Sequence, residues 1–200
     1  MDVFKTLKKL NSCFGPSGCE SQIREQIRTL AEPFADGIRT DTMGNLIVTK
    51  KAAPKLSEVA PAAKETAPPR LMFAAHMDSL GLIVTYIEDS GLLRFGVIGG
   101  VVAQNIVATP VRFANGTAGT IGMDEDSVKP EIDKMFIDIG AADRREAEKS
   151  VKCGDVAIYD TPIRTIGEDS IVSPYADNRA GCVAQLLALE ALRKPAFDCY

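Results

Sequence analysis

Residues 71–81 read Leu-Met-Phe-Ala-Ala-His-Met-Asp-Ser-Leu-Gly. An apolar run, Leu71 to Ala75, leads into His76, the only histidine among 200 residues, and Asp78 follows two positions later. Such a run predicts a strand whose carboxyl end opens on a crevice, where open α/β sheets bind their ligands. In extended chain, residues i and i+2 project to the same face. His76 and Asp78 are therefore expected to share that crevice, with the carboxylate holding the imidazole as metal-bound histidines require. The same residues also fit a histidine that is hydrogen-bonded at a strand end and has no further role.

A second stretch, 173–192, reads Ser-Pro-Tyr-Ala-Asp-Asn-Arg-Ala-Gly-Cys-Val-Ala-Gln-Leu-Leu-Ala-Leu-Glu-Ala-Leu. Val183, Leu186, Leu187 and Ala191 fall at helical spacing, interrupted by Glu190. Asp177 stands just before that helix. A carboxylate there can cap the helix N-terminus. It can also offer its two oxygens to two metal ions.

Composition narrows the classes. The chain is 46% hydrophobic and 25% charged, ordinary globular usage. With 23 basic and 27 acidic residues the net charge is −4, so there is no basic footprint for nucleic acid. No apolar run approaches the roughly 20 residues of a membrane span. The opening Met1–Leu10 has scattered charge and no apolar core, which is the pattern of a short amphipathic helix and not of a signal peptide. The five cysteines are odd in number, include no Cys-x-x-Cys and match no zinc-finger spacing. They are read as reduced thiols, consistent with a cytoplasmic protein.

Along the chain, Ser17 and Glu20 form a capping-box pattern that predicts a helix from about residue 18. Its buried face is Ile23, Ile27, Leu30 and Phe34, and Pro33 stops it. Met43-Gly44-Asn45 predicts a turn into a strand at 46–50. Residues 52–69 hold six Ala and four Pro and read as a surface linker inserted between two strands. Segments 82–88, 92–98, 106–113, 117–122, 135–139 and 155–160 are short and rich in Val, Ile and Phe, with turn residues between them. That spacing predicts a small β-barrel or sandwich at about 80–165, broken by one charged helix near 142–150 and inserted into an α/β domain. Gly15-Pro16-Ser17-Gly18 and Gly99-Gly100 lack dinucleotide spacing and a phosphate-loop lysine.

Six motifs now stand in order: Gly15-Pro16-Ser17-Gly18-Cys19-Glu20, Asp41-Thr42-Met43-Gly44-Asn45-Leu46, His76-Met77-Asp78, Ile98-Gly99-Gly100, Ile137-Asp138-Ile139-Gly140-Ala141 and Asp177-Asn178-Arg179-Ala180-Gly181. Together they resemble the dinuclear zinc exopeptidases, in particular the tetrahedral aminopeptidase family that includes the glutamyl and deblocking enzymes. The resemblance implies an α/β fold: a three-layer, zinc-exopeptidase-like domain at 1–79 and 166–200, present only in its N-terminal part, with the inserted β-barrel at 80–165. It implies a peptide substrate and two divalent ions, zinc or cobalt. His76 would ligate one ion, Asp177 would bridge both, and Asp78 would be the catalytic residue that orients His76. It further implies a homo-oligomer, from dimer to dodecamer, assembled through the β-domain. No membrane or nucleic-acid partner is expected.

The family also uses a Glu-Glu pair on the next strand and, further along, another acidic residue and a second histidine, whereas this chain has no Glu-Glu pair and no second histidine. The expectation is therefore an N-terminal portion, inactive by itself. Ser79-Leu80-Gly81 replaces the family's Glu-Ile-Gly, Asp177-Asn178-Arg179 its more common Asp-Asp-Arg, and Met123–Pro130 its Pro-Pro-His stretch. A second reading is a non-catalytic relative or fragment that binds or assembles through the β-domain. Glycoside hydrolysis, a label some relatives carry, needs two carboxylates flanking a sugar, which a lone His-Asp pair does not provide.

Overall fold

The structure, a computed structural model, describes residues 1–53 and 70–200. The linker expected at 52–69 lies, from residue 54 onward, outside the described residues. In chain order the elements begin with α1 (Val3–Ser12), α2 (Ser21–Ala31), β1 (Gly37–Thr40), β2 (Leu46–Thr49) and β3 (Arg70–Leu71). Then come β4 (Gly81–Ile87), β5 (Leu93–Ile98), β6 (Pro110–Phe113), β7 (Ala118–Met123), β8 (Met135–Asp138), α3 (Arg144–Ala147) and β9 (Val156–Tyr159). The chain continues through β10 (Arg164–Ile166), β11 (Ser170–Val172), α4 (Ala176–Ala191) and β12 (Asp198–Cys199). The fold is mixed α/β and divides into two compact units.

The first unit comprises Met1–Cys13, Glu20–Met77 and Asp177–Tyr200. Helix α1 forms because Asp2 caps it, its carboxylate accepting from Lys5 N at 2.7 Å, and because Leu7 and Leu10 bury one face. Helix α2 corrects the capping-box expectation. It starts at Ser21 with Glu20 as N-cap and has no side-chain cap bond. The reason is local. Cys19 N bonds Pro16 O at 2.8 Å and Gly18 takes φ +88°, so the chain turns between Ser17 and Glu20. The Ser17 hydroxyl donates instead to Asp78. Ile23 and Ala31 are buried, and Pro33 lies in a 3₁₀ turn that ends the α-helix.

The β1–β2 hairpin turns on Asp41, whose carboxylate accepts from Met43 N (3.0 Å), Asn45 N (2.9 Å) and Asn45 Nδ2 (2.9 Å). The bonds from Asn45 hold the Asp41 carboxyl below its ordinary value. Strand β12 runs parallel to β3, and reciprocal 2.8 Å bonds between Lys50 and Cys199 tie β2 to β12. The strand expected to lead into His76 is seen at Arg70–Leu71, and beyond it Phe73 N donates to Tyr200 O at 2.8 Å.

The second unit comprises Phe14–Cys19 and Asp78–Ala176. Its six antiparallel strands close into a barrel in the order β4-β5-β8-β7-β6-β9. Closure leaves those strands no open edge. Leu82, Val84, Phe95, Val111, Phe113, Ile121, Met135 and Ile137 alternate inward and fill the barrel. The expected 106–113 strand begins only at Pro110, because Ala103–Asn105 form a 3₁₀ turn that sends Ile106 into the core. The expected charged helix is the single turn α3, capped by Asp143. Arg94 spans the outside of the barrel, pairing Glu88 and gripping both Asp124 oxygens at 2.9 and 3.1 Å. Segment 14–19 joins this unit through Phe14, which packs on Ile158 and Tyr175, and through the Pro16–Ser79 bridge.

Candidate metal centre

Asp177 and Asn178 precede the regular part of α4 with non-helical backbone. The helix-capping role goes to Asn178, whose Oδ1 accepts from Gly181 N at 3.2 Å. The Asp177 carboxylate is thereby left to other work. It is 94% exposed, and its Oδ1 lies 3.1 Å from His76 Nε2. The imidazole is 53% exposed.

This geometry fits a shared divalent ion. Two ligands about 2.0–2.1 Å from one tetrahedral ion sit about 3.3 Å apart. His76 and Asp177 are already near that separation, and an imidazole with a carboxylate is a donor set that zinc accepts. Among the described residues, no group of three or more His, Cys, Asp or Glu is placed to hold a metal. The described chain thus brings together two donors of a set that commonly needs three.

Asp78 belongs to the barrel unit, and its carboxylate accepts from the Ser17 hydroxyl. The loop beneath it is pinned by Ser79 N to Gly15 O (2.9 Å) and Ser17 N to Ser79 O (3.3 Å).

Helix α4 holds the segment that carries His76. Arg179 is fully buried, and its guanidinium donates to Leu10 O (2.7 Å) and Cys13 O (3.2 Å) at the end of α1 and points to Met77 O (3.5 Å). Carbonyls at a helix C-terminus want such a donor and favour positive charge. Cys182 Sγ lies 3.5 Å from His76 O. Gly181 is required by proximity: a Cβ there would collide with Asn178 Oδ1 and come within 3.1 Å of Ala75 Cβ. With its amide oxygen turned to the chain, the orientation that satisfies both amide atoms, Gln185 accepts from Ala74 N (3.2 Å) and Ala75 N (3.0 Å). Sequence reasoning singled out none of these supports. The available signal was one cation, Arg179, on the otherwise apolar stripe it shares with Cys182 and Leu186.

Comparison with known proteins agrees with the motifs. A family model described as M42 glutamyl aminopeptidase matches residues 58–200. A protein of Acetivibrio thermocellus, named as a candidate aminopeptidase, is 39% identical over 202 residues, covering 100% of this chain and 57% of the relative. The structure of an aminopeptidase from the archaeon Desulfurococcus kamchatkensis superposes with TM-score 0.87 at 32% identity, over 98% of this chain and 54% of that one. A Pyrococcus horikoshii TET peptidase, described as assembling into a tetrahedron or a large octahedral shell, matches with TM-score 0.82 at 30% identity, over 99% of this chain and 59% of that one. The chain thus spans little more than half the length of each of these relatives.

Proposed function

Because this chain belongs to the M42 glutamyl aminopeptidase family, we propose that the protein it represents is a metal-dependent aminopeptidase that removes N-terminal residues from peptides. The observation that carries the reading is the 3.1 Å approach of His76 Nε2 to an outward-facing Asp177 carboxylate. His76 would hold one divalent ion, zinc or cobalt. Asp177, with one oxygen toward His76, would offer the other to a second ion. Metal bound there supplies an activated water and polarises the scissile carbonyl. Asp78, itself held by Ser17, is the residue proposed to orient the imidazole. The substrate's free amine would sit beside the metal or the nearby carboxylates, which is why the activity is exo- and not endopeptidase.

Two ligands fall short of a dinuclear site. The remaining ligands and the general base are proposed to lie in sequence outside these 200 residues, within a completed three-layer α/β domain. The relatives' greater length supports this. The 200-residue chain alone is then expected to be inactive. Homo-oligomerisation through the barrel, proposed as residues 80–165, is supported by the shell described for the P. horikoshii relative. It is also supported by exposed Val97, Val102 and Val107 within that range. A cytoplasmic location fits five free cysteines.

The test uses the complete protein, stripped with chelator and reloaded with zinc or cobalt. Leucine and glutamate p-nitroanilide hydrolysis should vanish on stripping and return on reloading. A protein that binds metal but cleaves neither these nor unblocked peptides would favour the alternative, a binding or assembly module.

A further inference from the structure

We propose that Ser17 is a positioning residue for Asp78, fixing the carboxylate that is assigned to orient His76. The proposal rests on the metal-centre reading above. The observation behind it is the Ser17 hydroxyl, which donates to Asp78 Oδ2. An ionised carboxylate only accepts, so the hydroxyl hydrogen of this pair points at Asp78. A hydrogen bond to a charged acceptor is the stronger kind. A carboxylate has two oxygens and about four lone-pair sites. Asp78 can therefore accept from Ser17 at one oxygen and serve an imidazole with the other.

The backbone on both sides puts donor and acceptor together. Ser17 and Gly18 are the central residues of a turn that Cys19 N closes on Pro16 O at 2.8 Å. Gly18 takes φ +88°, the left-handed value that a type II turn requires at its third position. The turn is bonded to the residue that follows Asp78. Ser79 N donates to Gly15 O at 2.9 Å, Ser17 N donates to Ser79 O at 3.3 Å, and the Ser79 hydroxyl donates to Gly15 O at 3.3 Å. Ser79 is buried. The turn also sits directly on the first residue of β4, since a Cβ on Gly81 would lie 2.8 Å from Pro16 Cβ. Ser17 and Asp78 thus belong to one tightly connected piece of the barrel unit. A supporting group built on such a piece holds its partner's geometry better than one on a loose loop. In this assignment Ser17 acts only through Asp78.

The experiment compares wild type, Ser17→Ala, Ser17→Thr, Asp78→Ala and the double variant Ser17→Ala/Asp78→Ala in the complete protein. Alanine removes the hydroxyl, whereas threonine keeps it. Zinc affinity is measured by competition with a chelator, and urea unfolding checks that each variant folds. Ser17→Ala should bind zinc about three- to tenfold more weakly, the scale of one intramolecular hydrogen bond. Ser17→Thr should bind as wild type does. In the Asp78→Ala background the loss of the Ser17 hydroxyl should change affinity no further, because residues that act as one unit are not additive. If Ser17→Ala does not fold, Ser17→Val, matched in shape to threonine, serves in its place. Unchanged affinity in the alanine or valine variant would overturn the proposal. So would an equal loss in Ser17→Thr, which marks packing of the turn and not the hydroxyl. A full further loss in the double variant would overturn it as well, since Ser17 would then act otherwise than through Asp78. Asp78→Ala with wild-type affinity would overturn the role given to Asp78 and the proposal with it. A wild type that binds no zinc would instead overturn the metal reading on which both stand.

Discussion

At the level of single residues, the division of labour between Asp177 and Asn178 shapes the candidate site. Both are suited to cap α4, and had Asp177 done so its carboxylate would face the helix amides. Because Asn178 takes the Gly181 amide, Asp177 can meet His76 at 3.1 Å. His76→Ala in the complete protein should therefore remove one ion and with it p-nitroanilide hydrolysis, read by metal analysis and turnover together. Asp78→Asn should keep the metal but weaken its binding or the rate about 10–100-fold. Arg179 has a different task. Its guanidinium is the donor that joins the end of α1 to the start of α4. Arg179→Met should cost about 2–4 kcal/mol in chemical unfolding, since it strands buried carbonyls that a charged donor now satisfies. A loss below about 0.5 kcal/mol, the scale of an ordinary surface change, would show that the guanidinium is not structural.

At the level of elements, the six barrel strands were legible because closure imposes simple alternation: each strand has one face in a shared core and the other in solvent. The boundary errors have causes in particular residues. Strand β6 starts late because Ile106 enters the core from a 3₁₀ turn. The Ser17–Glu20 capping box failed because Gly18 turns the chain and Asp78 competes for the Ser17 hydroxyl. The barrel's outer ion pairs carry a pH prediction. Arg94 hydrogen bonds hold the Asp124 carboxyl below its ordinary value. A depressed folded value contributes stability above the unfolded carboxyl range, near pH 4, which is lost as pH falls through the lowered value. The urea midpoint of Arg94→Gln should thus lie below wild type at pH 7, and the gap should narrow steadily below about pH 4. A gap independent of pH would assign the effect to packing on Phe136, whose ring lies 5.8 Å from the guanidinium.

At the level of the whole molecule, the prediction concerns assembly. The complete protein should scatter light as an oligomer, and Val102→Asp or Val107→Asp on exposed apolar positions of the barrel unit should reduce its mass. A monomeric wild type would remove the assembly role. The sequence by itself determined the mixed α/β class, the barrel strands and the family, and it offered His76, Asp78 and Asp177 as candidates by their chemistry. Those depend on local pattern and residue chemistry, which a chain displays in order. Only the tertiary structure decided which side chains meet. It paired His76 with Asp177 across 101 positions of sequence, gave Asp78 to Ser17, and buried Arg179 between two helices. It also set Cys182 of α4 against the His76 carbonyl, Sγ to O at 3.5 Å. Such pairings arise from long-range contacts in which one hydroxyl, amide or guanidinium chooses among several nearby acceptors or donors. That choice rests on distances of a few tenths of an ångström that no spacing along the chain encodes.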